Sequence, residues 1–218
     1  MTDSGLFVQF LLISPLLLVS LVLHELAHGW VAYRLGDPTA KVHGRLTLNP
    51  LKHLDLWGTV MLVVTFLGSG GSFFLGWAKP VPVDPRYFKD GQRGMMWVGL
   101  AGPLTNYAMA LVAAGLIWLT YLYTDSFFLL KMFWMLFLLN VILGTLNLLP
   151  IPPLDGSRVV GGFLPRATYA RWAELDRYGN FVFIGLFVVL FTFPAVYEST
   201  FGAVLDFAMQ ILPGGWFG

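Results

Sequence analysis

Five apolar blocks govern what this chain can become. They cover roughly residues 6–35, 56–77, 95–123, 127–149 and 181–196, and several are long enough to supply the ~20 apolar residues that a membrane-spanning helix needs. Charged residues make up only 11% of the chain and apolar types 57%, whereas a soluble domain carries roughly a quarter charged residues. With no internal repeat and no low-complexity linker, the pattern predicts an all-α polytopic membrane protein of about four to six transmembrane helices. A single domain over 1–218 is expected. It comprises a helix over 6–35, a re-entrant or β-hairpin segment over 56–77, helices over 95–123, 127–149 and 178–197, and a C-terminal tail over 198–218.

Basic residues orient these blocks. Arg34, Lys41, Arg45 and Lys52 lie between the first two, and Lys79, Arg86, Lys89 and Arg93 between the second and third. Arg158, Arg166, Arg171 and Arg177 lie between the fourth and fifth, leaving Lys131 alone elsewhere. Basic loops stay on the cytoplasmic side, so these three loops are expected inside and the N-terminus outside. The second block then has both ends on the same side and should not cross. Its Gly-rich, β-branched sequence "LWGTVMLVVTFLGSGGSFFLGW" suits a re-entrant hairpin, which is tolerated at membrane depth when buried in protein or lining a cavity.

Other classes fall away on composition. Cysteine is absent, which excludes disulfides and thiolate metal ligands. A net charge of +1 gives no sign of a nucleic-acid partner. The opening "MTDSGLFVQF" lacks the basic region and cleavage site of a signal peptide, so the first block is expected to be retained.

Within the first block stands "LVLHELAHGW". Ionisable residues in an apolar span are costly and usually functional. His24 and His28 are four apart and share one helix face, which suits a divalent zinc ion, and Glu25 between them suits a general base. A purely structural trio, hydrogen-bonded to neighbouring helices, is the competing reading.

A catalytic zinc needs a third protein ligand and one open position. Asp155, in "NLLPIPPLDGSR", is the acidic residue set in an apolar context beside an irregular turn. Pro150, Pro152 and Pro153 break the helix before it. The dipeptide after Leu154 would alone read as an interfacial turn. The fourth block runs from outside to inside, and His24 lies ~28 Å along the first helix, so both elements meet towards the inner leaflet and ligation by Asp155 is favoured.

Together these residues resemble the site-2 protease family of intramembrane zinc metalloproteases, a resemblance that covers most of the chain. It rests on "HELAH" at 24–28, "AGPLTN" at 101–106 and "NLLPIPPLDG" at 147–156. The stretches "GRLTLNPLKHLD" at 44–55 and "GWAKPVPVDP" at 76–85 look like the small bacterial and archaeal members, without the PDZ or CBS domains of larger ones. The resemblance implies one zinc ion held by His24, His28 and Asp155, with Glu25 as catalytic base. It also implies that Asn147 positions substrate or stabilises the oxyanion, against which stands a helix-capping or interhelical hydrogen bond. Asn106 reads as a packing residue, and His43 and His53 as solvated or turn-capping. A strand near 40–50 or in the second block is expected to pair with an unwound substrate.

The implied activity is zinc-dependent hydrolysis of peptide bonds within or beside transmembrane segments of membrane protein substrates. The implied location is a prokaryotic cell membrane, with the protein multi-pass and the active site towards the cytoplasm. Two alternatives stand. One is a non-catalytic zinc- or client-binding membrane protein, against which the intact Glu25 argues. The other is a metalloprotease of a different HExxH clan, with Glu174 or Glu198 as third ligand.

Overall fold

The computed structural model describes residues 3–71, 75–124 and 126–213. Ten α-helices form among them: α1 (Asp3–Arg34), α2 (Thr39–Val42), α3 (Leu56–Gly68), α4 (Gly91–Tyr123), α5 (Phe127–Leu148), α6 (Asp155–Gly161), α7 (Arg166–Ala173), α8 (Gly179–Thr192), α9 (Pro194–Tyr197) and α10 (Ala203–Met209). Three are long and apolar enough to cross a membrane: Phe7–Arg34 of α1, α4 and α5. A fourth span exists if the segments Phe181–Leu190 and Ala195–Met209 count as one. That gives three spans, or four at the lower end of the expected range. The uninterrupted helix expected over 178–197 is corrected, because the chain bends by 105° between those segments. Pro194 explains the break: it lacks the N–H a helix needs and pushes Phe193 out of helical geometry, and Phe193 has φ −120° and ψ 89°.

α4 lies at the centre, packed against α1, α5 and α6. Ala110, Ala113 and Ala114 are buried against Phe137 and Val141 of α5 and Ala208 of α10. Small side chains permit this close approach where the surrounding medium offers no hydrophobic drive between helices. At one end of α4, Val98 joins Ala32 of α1 and Phe88 in a second buried cluster.

The second block is a helical hairpin that returns to where it began. Asp55 caps α3 by accepting from the Gly58 N–H at 2.8 Å. At 13 residues the helix is about 20 Å long, short of the ~30 Å hydrocarbon core. The chain comes back beside the start of α3, where Leu54 and Ala78 form an antiparallel bridge and the Lys79 N–H donates to the His53 carbonyl at 2.8 Å. Gly58 makes the close return possible: a Cβ there would lie 2.1 Å from the Trp77 carbonyl oxygen. The re-entrant reading therefore stands, and the β-hairpin version is corrected to a helix with an extended return, since only this isolated bridge forms among the described residues. Residues 72–74 of "GSFFLGW" lie outside the described residues.

The return segment, residues 77–84, is tied down on both sides. Arg45, buried, donates to the carbonyls of Lys79 at 2.6 Å and Pro80 at 3.1 Å. Asp37, fully buried, accepts from the Asp84 N–H at 2.8 Å and the Thr39 N–H at 2.9 Å, and also from the Thr39 hydroxyl.

Candidate metal centre

α1 presents His24 and His28 to α4, and both are 6% exposed. On α4, Gly102 makes room for them. A Cβ on it would stand 2.4 Å from His24 Cε1 and 2.5 Å from both ε nitrogens, so any side chain there would displace the imidazoles. One turn earlier, a Cβ on Gly99 would stand 2.9 Å from the Asp155 carbonyl oxygen. These two glycines let α1 and α6 close on the same face of α4.

Asp155 opens α6, with Leu154 as the preceding cap. Beside it Gly156 passes so near the end of α5 that a Cβ would lie 2.2 Å from the Leu148 carbonyl oxygen. The proline turn thus folds the carboxylate back against α4, as expected. Asp155 Oδ2 lies 3.1 Å from His24 Nε2 and 3.2 Å from His28 Nε2, and the two nitrogens are 2.9 Å apart. As a carboxylate, Asp155 supplies the anionic oxygen that a metal ligand requires.

The tautomers follow from the far side of each ring. His28 Nδ1 lies 2.6 Å from the Val98 carbonyl oxygen. A carbonyl only accepts, so this nitrogen carries the proton. His24 Nδ1 lies 2.6 Å from Asn106 Oδ1, and the orientation of that amide is fixed further back. Asn140 donates to the Leu136 carbonyl and the Ser20 hydroxyl, both at 2.9 Å. Its oxygen must then face Asn106, whose amide donates to it at 2.8 Å. Asn106 is left to present oxygen to His24, so both imidazoles hold their protons on Nδ1.

Two nitrogen lone pairs and an anionic oxygen therefore converge within about 3 Å of one another. Without a cation this is repulsive; with one it is a ligand set. In a tetrahedral zinc site with bonds of ~2.0–2.1 Å, ligand atoms stand about 3.4 Å apart, within a few tenths of an ångström of these spacings. The residues fit the ion. Among the described residues this is the one group of three or more His, Cys, Asp or Glu side chains placed to hold a metal. Glu174 and Glu198 lie on turns beyond α7 and α9 and take no part, so the rival ligand assignment has no geometric support.

A profile of peptidase family M50 matches residues 122–192, the part of the chain that carries Asp155. YwhC of Bacillus subtilis, designated a zinc metalloprotease, is 40% identical over 183 residues, covering 79% of this chain and 78% of its own. The chain belongs to peptidase family M50. Rip2 of Mycolicibacterium smegmatis, with the same designation, is 33% identical over 82% of this chain and 67% of its own. The archaeal zinc metalloprotease MJ0392 of Methanocaldococcus jannaschii is 27% identical over 69% of this chain and 34% of its own. No solved structure matches the chain. As an M50 peptidase the protein is a zinc metalloprotease with membrane-crossing helices.

The other expected residues fall as follows. Glu25 is half-buried, and its Oε2 accepts from the Val81 N–H of the return segment at 2.8 Å. Asn147 turns its amide back on the Leu143 carbonyl at 2.9 Å, the local bond that mid-helix asparagines often make; it touches none of the trio. Asn106 does more than pack, since it orients His24. His43 Nδ1 bonds the Thr39 carbonyl at 2.8 Å in an exposed turn. His53, by contrast, is buried rather than solvated, and donates through Nε2 to the Thr47 carbonyl at 2.9 Å. Sequence reading passes over Ser20, Asn140 and the Val81 N–H, and gives Gly102 only a place in the "AGPLTN" motif.

Proposed function

We propose that this M50 peptidase hydrolyses peptide bonds within or next to the transmembrane segments of membrane protein substrates. His24, His28 and Asp155 hold one zinc ion, Glu25 is the catalytic base, and residues 1–218 act as a single metalloprotease domain. The observation that carries this reading is the buried His–His–Asp cluster inside a membrane-crossing bundle, with a glutamate anchored beside it. When bound, zinc polarises the substrate carbonyl and acidifies water.

The chain supplies the rest. Glu25 follows His24 directly, and the Val81 N–H takes up one carboxylate oxygen. The other oxygen stays available to accept a proton and later return it to the leaving amine. Val98, Asn106 and Asn140 hold the imidazoles in register. A helical substrate hides its carbonyls in its own hydrogen bonds, so it must unwind before cleavage, and Gly, Pro or polar residues near the cut favour this. Asn147 lies eight residues before Asp155. Released from Leu143, its amide becomes a donor that can stabilise an oxyanion.

The loop charges support a cytoplasmic position for the site in a prokaryotic cell membrane. His24 and His28 stand ten and six residues before the end of α1, about 15 and 9 Å from it, on the side to which the basic loops map.

Cleavage of a model transmembrane substrate in proteoliposomes tests the reading. Glu25→Gln is expected to lower turnover by about 10²- to 10⁴-fold, the usual contribution of a general base, with zinc retained. Equal cleavage by both proteins would sink the mechanism.

A further inference from the structure

Away from the metal centre, two cavities meet at one side chain. An apolar groove of about 330 Å³ runs between α1 and α4, lined by Val31 and Leu35 on one side and Leu100, Ala101 and Leu104 on the other, with Trp97 at its mouth and Arg34 at its edge. A more polar cavity of about 550 Å³ shares Trp97 and carries Arg93, Arg166, Asp90 and Phe163. Arg93, Trp97, Leu100 and Leu104 stand at i, i+4, i+7 and i+11, one stripe along α4 that descends about 16 Å from basic to apolar surroundings.

The charges at the upper end are uncommitted. Neither Arg93 nor Arg166 pairs with a carboxylate among the described residues. Asp90, the acidic residue present, spends Oδ1 on capping α4 through the Arg93 N–H at 3.1 Å. Arg34 lies over the Trp30 ring, 4.6 Å from its centroid, with no carboxylate partner either. α4 has 33 residues and is about 50 Å long, well beyond the ~30 Å hydrocarbon core. Its first turns therefore belong to the membrane interface, the level that Trp97 and the exposed Phe163 suit.

We propose that this joined groove and basic cavity bind one anionic glycerophospholipid. Its phosphate lies between Arg93 and Arg166, its glycerol beside Trp97, and one acyl chain lies in the groove over Leu100 and Leu104. Guanidinium forks match phosphate oxygens. The apolar lining that runs into a cavity with two unpaired guanidiniums matches an acyl chain carrying a phosphate, a pairing that an apolar substrate helix does not offer. The site backs onto the metal centre, since Ala101 lies beside Gly102, so the lipid braces the wall that α4 gives to the imidazoles.

Native mass spectrometry of the full chain in detergent, titrated with phosphatidylglycerol or phosphatidylcholine, tests this without needing turnover. One phosphatidylglycerol is expected to stay bound, with phosphatidylcholine about thirtyfold weaker, as about 1 kcal/mol for each of the two arginines implies. Arg93→Gln with Arg166→Gln should erase that preference, and Leu100→Trp with Leu104→Trp should block retention. Arg171→Gln with Arg177→Gln should change nothing. Circular dichroism and zinc content of each variant report whether it folds. Equal retention of the two lipids, or an equal loss with the Arg171 and Arg177 pair, would overturn the proposal. So would a substrate peptide, in place of lipid, captured by a photo-crosslinker at position 104.

Discussion

A free lone pair on each ε nitrogen is what equips His24 and His28 to hold a metal, and both are set from behind. For His28 one backbone carbonyl, Val98, is enough. For His24 the setting passes through Asn106 to Asn140, whose orientation is forced by the Leu136 carbonyl. Partners of this kind typically contribute 10- to 100-fold in metal affinity. Asn140→Leu is therefore predicted to weaken zinc binding about 10- to 100-fold, although Asn140 touches no ligand atom. Competition with a chelator of known affinity measures it, and unchanged affinity would show that Asn106 holds its orientation unaided. The histidine pair of the proposed site is legible because a spacing of four encodes a shared helix face, and Asp155 because three prolines set it off from the apolar run before it. The supporting residues are not: a single Asn in the apolar run of α5 has no neighbour in sequence to reveal its partner, and Gly102 acts through the atom it lacks.

At the level of elements, the hairpin and its return segment act on Glu25, the proposed base. Arg45 clamps two carbonyls of residues 79–80, and the next residue gives its N–H to Glu25. Arg45→Met keeps an apolar stem but removes both hydrogen bonds, which frees Val81 to drift. Displacements of an ångström cost up to about 10²-fold in rate, so kcat is predicted to fall about 10- to 100-fold while zinc content stays at the wild-type level. A rate within twofold of wild type would mean that Glu25 needs no such anchor. Loop charge alone indicated that the second block turns back. It did not reveal a helix, because β-branched residues and glycines suit either conformation; the Asp55 cap and the Gly58 contact with Trp77 decide the matter. Likewise the apolar run after Phe181 looked continuous, and Pro194 within it marked the bend.

For the whole molecule, the proposed topology sets the basic loops at the C-terminal end of α1, the N-terminal end of α4 and the C-terminal end of α5 on the cytoplasmic side. The chain has no cysteine, so a single introduced one reports its own position without background. Cysteine at His43 or Phe163, both exposed, is predicted to react with an impermeant thiol reagent only from the cytoplasmic side. Cysteine at Tyr123 or Phe127, exposed at the other end of α4 and α5, should react only from outside. Reversed labelling would invert the orientation and place the metal centre near the opposite leaflet.

The most direct measurement of the central claim is zinc stoichiometry in the purified protein and its single variants. The wild type and Glu25→Gln should each carry about one zinc per chain. His24→Ala, His28→Ala and Asp155→Ala should lose it while remaining folded by circular dichroism. Full zinc occupancy in Asp155→Ala would contradict the assignment of the ligand set.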